Sequence, residues 1–314
     1  MGDNTFLSRA AAVLAALASA VALGQAPASA AVPLTARLSE QVVVVGRILS
    51  VAGQATPDTA VTLAWRRADA WQPLSTTYAS SDGTYQLSVP TWWIGDREVR
   101  VTTTDASTGE PESDDLSYAV SPGYAVRGSA TTFRRYADER YWDPCGVIRW
   151  KFNPAGGYAG SLATLRRAVA AVAAATGLRF SYRGTTRKIA FRDSARAAHT
   201  DLLISWASPR QVHLLAGSVV GDAMSSTGFD GYYADGEMAL DRTAHLRHGF
   251  HASGAVDWGQ VMLHELGHVV GLAHVSSRAE IMFPSTTRTT HRYGAGDLAG
   301  LRAVGASRPC APPL

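Results

Sequence analysis

The chain has 314 residues, 46% of them apolar and 18% charged, which is the make-up of folded globular material and suits two domains better than one. Lys and Arg number 29 against 26 Asp and Glu, so the net charge is only +3, and no Lys/Arg cluster is present. That balance argues against a nucleic-acid or membrane-surface partner. At the N-terminus Arg9, the apolar run Ala10 to Leu23 and then Ala28-Ser29-Ala30 have the order of a secretory signal with a small-residue cleavage site. The run is too short to span a bilayer, so residues 1–30 read as a signal peptide and the protein as secreted and extracellular.

Residues 31–125 read as an all-β module. Val42 to Leu49, then Val61, Leu63 and Trp65, then Tyr85, Leu87 and Val89, then Val99 and Val101 alternate as strands. Gly53, Pro57-Asp58, Ser81-Asp82-Gly83 and Gly95-Asp96 supply the turns of a sandwich. Asp82 to Pro90, DGTYQLSVP, resembles stretches of bacterial immunoglobulin-like and carboxypeptidase-regulatory-like modules, which implies an immunoglobulin-like sandwich. Trp65, Trp71, Trp92 and Trp93 could face a glycan or an extracellular-matrix partner, although core packing is the commoner use of Trp. The polar run Thr103 to Asp115 reads as an exposed loop, and residues 126–139 as the linker to a second domain, 140–314.

In that second domain Val147 to Asn153 alternates as a strand. Ser161 opens a helix with Leu165, Val169 and Val172 on one face, and Gly177 stops it. Leu178 to Tyr182 and Leu202 to Ala207 are further strands; the latter, LLISWA, is apolar enough to be buried on both faces. Between Ser208 and Gly254 one extended piece stands out, Gly236 to Asp241. His245, His248 and His251 read as exposed polar residues, with a second metal as the sharper alternative. Asp222, Asp230 and Asp235 offer oxygen ligands for a possible Ca2+, against the commoner use of loop aspartates in turns.

The chemistry lies in HELGHVVGLAH, residues 264–274. His264 and His268 are four apart and share one face of a helix, so their imidazoles can hold one metal ion. Glu265 is rotated to the flank, where a carboxylate reaches a water on the metal without itself being a ligand, as a general base does. Gly271 lets the chain leave the helix sharply so that His274 returns as the third ligand. Three protein ligands leave one zinc position open, the mark of a catalytic site. Asp257, with Gln260 three residues on, reads as the helix start.

At these residues the chain resembles the metzincin zinc metallopeptidases, whose pattern is HExxHxxGxxH followed by a methionine turn. Met282, the IMFP of Ile281 to Pro284 and a closing helix at Gly296 to Gly305 make it similar to the matrixin branch over about residues 140–306. Val275 and Phe283 depart from that branch, where Ser or Thr and Tyr are usual. The resemblance implies an α+β metzincin catalytic domain with Zn2+ on His264, His268 and His274, Glu265 as general base, and Met282 beneath the ligands without binding metal. It also implies a protein or peptide substrate lying along an edge strand, with Pro284 to Tyr293 walling the cleft. The expected activity is a secreted zinc endopeptidase. The alternative is a secreted adhesion or glycan-binding protein whose metzincin-like domain is catalytically silent. Cys145 and Cys310, the only cysteines of an exported chain, favour a disulfide; Cys145-Gly146-Val147 also echoes the CGV with which matrixin propeptides cap the zinc, a cysteine switch, and both readings stand.

Overall fold

The computed structural model describes residues 32–312, apart from 68–69, 106–107, 137–139, 229–230, 253 and 287–290. The expected signal peptide lies outside the described residues. No helix among the described residues is long and apolar enough to cross a membrane.

The N-terminal unit has eight strands: β1 Thr35–Leu38, β2 Val42–Val44, β3 Leu49–Gln54, β4 Ala60–Arg67, β5 Ala70–Tyr78, β6 Thr84–Val89, β7 Gly95–Thr104 and β8 Pro111–Ser121. They form a three-stranded sheet, β1-β3-β6, and a five-stranded one, β2-β8-β7-β4-β5. Period-two alternation builds the core between them: Tyr85, Leu87 and Val89 from β6 join Val61, Leu63, Val99 and Val101 in one buried cluster. The Val42 to Leu49 run is two strands instead of one. Its halves lie in different sheets, and Gly46, at φ +78°, turns the chain between them. The segment Thr103 to Asp115 is no loop. Its ends continue the β7–β8 ladder, which pairs Thr104 with Pro111 and in which Arg100 and Asp115 form a two-bonded pair at 2.6 and 2.7 Å. Polar side chains on the solvent face of a hairpin gave that stretch its loop-like composition.

The chain then crosses to the second unit in close contact with it. Arg127 O accepts from Ala295 N at 2.7 Å, and β9 Arg134–Arg135 makes a short antiparallel ladder with residues just before His274. The expected linker is thus docked along much of its described length. Trp93 and Ala306 share the β unit's core, and Ile94 N donates to Ala174 O at 2.8 Å, so the two units abut through packed side chains.

The second unit continues with β10 Ile148–Asn153, α1 Ser161–Thr176, β11 Phe180–Thr185, β12 Leu202–Ala207, β13 Gly221–Thr227, β14 Tyr233–Asp241, α2 Trp258–Val269, β15 Leu272–Ala273 and α3 Ala295–Val304. Gly177, at φ +74°, ends α1 by donating its N–H to Ala173 O. The sheet order is β11-β10-β12-β14-β13, with β13 alone antiparallel, at the edge. All six residues of β12 are buried: Leu202, Ile204 and Trp206 join the core shared with α1 and α2, while Leu203 and Ala207 join a smaller cluster. Cys145 and Cys310 form a disulfide 165 residues apart in sequence, a closure that removes unfolded-chain entropy equivalent to about 5 kcal/mol at most. The Cys145 sulfur is therefore committed, and a thiolate cap on the metal site is not what this structure holds.

Candidate metal centre

Helix α2 places the first two imidazoles, and its own anchoring is firm. Asp257 caps it, Oδ1 accepting from Gln260 N at 2.8 Å, and every residue from Trp258 to Val269 is buried. Gln260 Oε1 has no partner among the described residues, so only the Asp257 half of a reciprocal cap forms there. After α2 the chain turns at Gly271, φ +109°, a region that disfavours any side chain, and β15 carries it to His274.

The three Nε2 atoms form a triangle, 3.0 Å between His264 and His274 and 3.1 Å on the other two sides. Nitrogens of one tetrahedral zinc stand about 3.3 Å apart, close to this spacing. These contacts are not hydrogen bonds, because the protons are elsewhere. His264 Nδ1 lies 2.7 Å from Ile281 O and His268 Nδ1 2.8 Å from Leu272 O, and a carbonyl accepts only, so both Nδ1 atoms carry the hydrogen. Both Nε2 atoms then present lone pairs to each other, an arrangement that a cation between them relieves. Burial holds both rings neutral, pushing His264 down to about 4 and His268 to about 3. The residues present fit a zinc ion.

Glu265 is buried beside them. Burial first, and then the Asp222 carboxylate, push it up to about 8, and a divalent cation nearby opposes that push. Its carboxyl group packs on Gly221, at the start of β13: a Cβ there would stand 2.8 Å from Oε1 and 2.9 Å from Cγ. Gly221→Ala should leave zinc content intact and lower kcat about 10- to 100-fold by displacing the carboxylate, measured on a quenched fluorescent peptide. Unchanged turnover would mean that Glu265 has slack there.

Met282 packs against α2. Its Sδ is so close to Gly267 that a Cβ on that glycine would meet it at 2.4 Å, and its carbonyl accepts from Val275 N at 3.0 Å. Asp297, on α3, holds the same turn: Oδ2 accepts from Ile281 N at 2.6 Å and Oδ1 from Met282 N at 3.2 Å. The two departures from the matrixin pattern are accommodated by packing, with Val275 in the core and Phe283 under the Arg278 guanidinium, 4.8 Å from its ring centroid. Tyr136, at the end of the docked connector, brings its hydroxyl to 3.0 Å from His268 Nδ1. No sequence signal marks Tyr136, Gly221 or Asp297 for the site, because each reaches it only through the tertiary fold.

A cleft of about 780 Å³ runs over these groups, floored by His264, Glu265, His268 and His274, with Arg134 and Tyr136 at one rim and Pro284 to Thr286 in the facing wall. Of the rest of the expected wall, 287–290 lie outside the described residues, and His291 to Tyr293 line a different cavity instead of this cleft. The other side is β13. Gly236 to Asp241, expected as the substrate's edge strand, is the interior strand β14 instead, paired on both sides; the edge is Gly221–Thr227. GDAMSST reads as loop because an edge strand buries little and needs few apolar residues.

His245, His248 and His251 do not gather into a ligand set among the described residues: His248 stacks on Tyr158 at 4.1 Å, and His251 Nε2 meets the His248 carbonyl at 2.8 Å. Asp222 and Asp235 stand at different points of the β13–β14 ladder, and Asp235 faces Arg196 at 3.8 Å; Asp230 lies outside the described residues. No oxygen-rich calcium cluster forms among the described residues. Trp65 and Trp93 are buried in the β unit, Arg100 covers Trp71, and Trp92 is 39% exposed, so no continuous aromatic face is presented.

Residues 161–304 match the family model described as matrixin, a metallopeptidase family that is generally zinc-dependent, and the match supports a matrixin-type domain over that span. The matched span contains all three histidines, Glu265 and Met282. No curated protein matches the chain. Among solved structures, a similarity is found to the crystal structure of a family 76 glycoside hydrolase from a bovine Bacteroides thetaiotaomicron strain, at 16% identity and a TM-score of 0.21, over 44% of this chain and 33% of that one. The chain spans about a third of that structure's length, and so loose a superposition carries no argument about fold or chemistry.

Proposed function

We propose that the protein is a secreted zinc endopeptidase in which an immunoglobulin-like β module precedes the catalytic unit. The observation that carries this reading is the convergence of three imidazole Nε2 atoms beside one buried carboxylate in an open cleft. His264, His268 and His274 would hold the ion, which when bound lowers the pKa of a water to about 7 and polarises a peptide carbonyl. Glu265 would take the proton from the attacking water and pass it to the departing amine. The outer edge of β13 is the place for an extended substrate, whose backbone can add to the sheet as a further strand. Ile281 O and Leu272 O fix the two helical imidazoles in the tautomer that ligation needs.

The test is metal dependence. Hydrolysis of a denatured protein mixture should cease when phenanthroline strips the ion and return on adding zinc. Full activity in protein shown by elemental analysis to be metal-free would end the proposal.

A further inference from the structure

A second cavity, of about 480 Å³, opens where residues 122–124, leaving the β unit, meet α1, the loop 250–252, α2 and residues 291–293. It shares no lining residue with the zinc cleft. Arg167, Arg292, His251 and His291 line it, and among the described residues no carboxylate does. The Arg167 guanidinium lies over Phe250, 4.7 Å from the ring centroid, and that of Arg292 over Tyr124, at 5.1 Å. An arginine held by its face keeps its N–H edge available to fork onto a carboxylate.

That charge is not answered among the described residues. Among the described residues neither guanidinium has a carboxylate within ion-pair distance. Asp257, the acid bonded to two of the lining residues, is already committed: Oδ1 takes Gln260 N, and Oδ2 takes His251 N at 2.9 Å and His291 Nδ1 at 3.1 Å. It is taken up by His251 and His291 and leaves both arginines. The rest of the lining is apolar. Aromatic rings and Leu263 are among it, and the lining residue Gly123 lies against Val44, which is 42% exposed.

We propose that this cavity binds a carboxylate carried on an apolar or aromatic body, either the C-terminal residue of a peptide or an acidic side chain beside a hydrophobic one. The carboxylate bridges Arg167 and Arg292, and the apolar part lies between Tyr124 and Phe250. The size suits one or two residues of peptide. This inference concerns a site apart from the zinc cleft and does not rest on the proposed peptidase activity.

Calorimetric titration of the full-length, zinc-loaded protein tests it with three probes: N-acetyl-phenylalanine, with a terminal carboxylate; N-acetyl-aspartyl-phenylalaninamide, with a side-chain one; and N-acetyl-phenylalaninamide, with none. At least one carboxylate probe should bind in one-to-one ratio, and the neutral amide at least tenfold more weakly. Which carboxylate binds tells the two sources apart. Arg167→Gln and Arg292→Gln should each weaken that binding about tenfold or more, with circular dichroism and melting temperature unchanged. A carboxylate that binds only at the zinc is insensitive to both substitutions, so that result overturns the proposal, as does equal binding of the amide or no binding at millimolar concentration.

Discussion

Replacing Glu265 by alanine should leave one zinc ion per chain and lower peptide hydrolysis about 10²- to 10⁴-fold, the range a positioned general base supplies. The separation of the two effects follows from geometry. The Nε2 atoms that converge belong to His264, His268 and His274, and the tautomers of the first two are set by Ile281 O and Leu272 O, none of which depends on Glu265. His268→Ala should therefore behave differently, losing metal and hydrolysis together. Elemental analysis and kcat/KM on the same preparations decide the matter. An active Glu265→Ala variant would move the base elsewhere in the cleft, and a metal-free one would show that the carboxylate is a structural part of the ion site.

The second large effect is expected at Asp297, which makes no contact with substrate. Three buried backbone N–H groups converge on its carboxylate, from Ile281, Met282 and, at 2.9 Å, Gly294. Burial nevertheless dominates and pushes it up to about 7, with the nearby Glu280 carboxylate adding to the push. Asp297→Ala leaves those donors unsatisfied, and the expected loss is about 3–5 kcal/mol of stability. It should also weaken zinc binding about 10- to 100-fold, because the peptide it holds ends in the carbonyl that orients His264. Urea denaturation and competition with a chelator measure the two quantities. Stability within about 1 kcal/mol of the parent protein would mean that the methionine turn is held by its other contacts.

The site was legible where its chemistry is local. The helical spacing of His264 and His268, the turn at Gly271 and the Asp257 cap depend on neighbours a few residues away, and the sequence displays them directly. The fold was legible where burial is strong, as in LLISWA, whose six buried residues leave no polar face to misread. It was illegible at edges. Gly221–Thr227 and the ends of the β7–β8 hairpin expose one face to water, so their polar residues imitate loops. Partners far apart in sequence were equally hidden: Tyr136 is 132 residues from His268, and nothing near either announces the bond.

The docked connector also bears on how such a protein can be rearranged. Because β9 and Tyr136 lie against the residues that flank and orient His268, the stretch joining the two halves belongs to the hydrolytic half. Grafting that half onto another partner would have to carry the stretch along. A recombination breakpoint placed after residue 140 would sever it from the imidazole it touches, whereas one placed before Arg127 would keep this support whole.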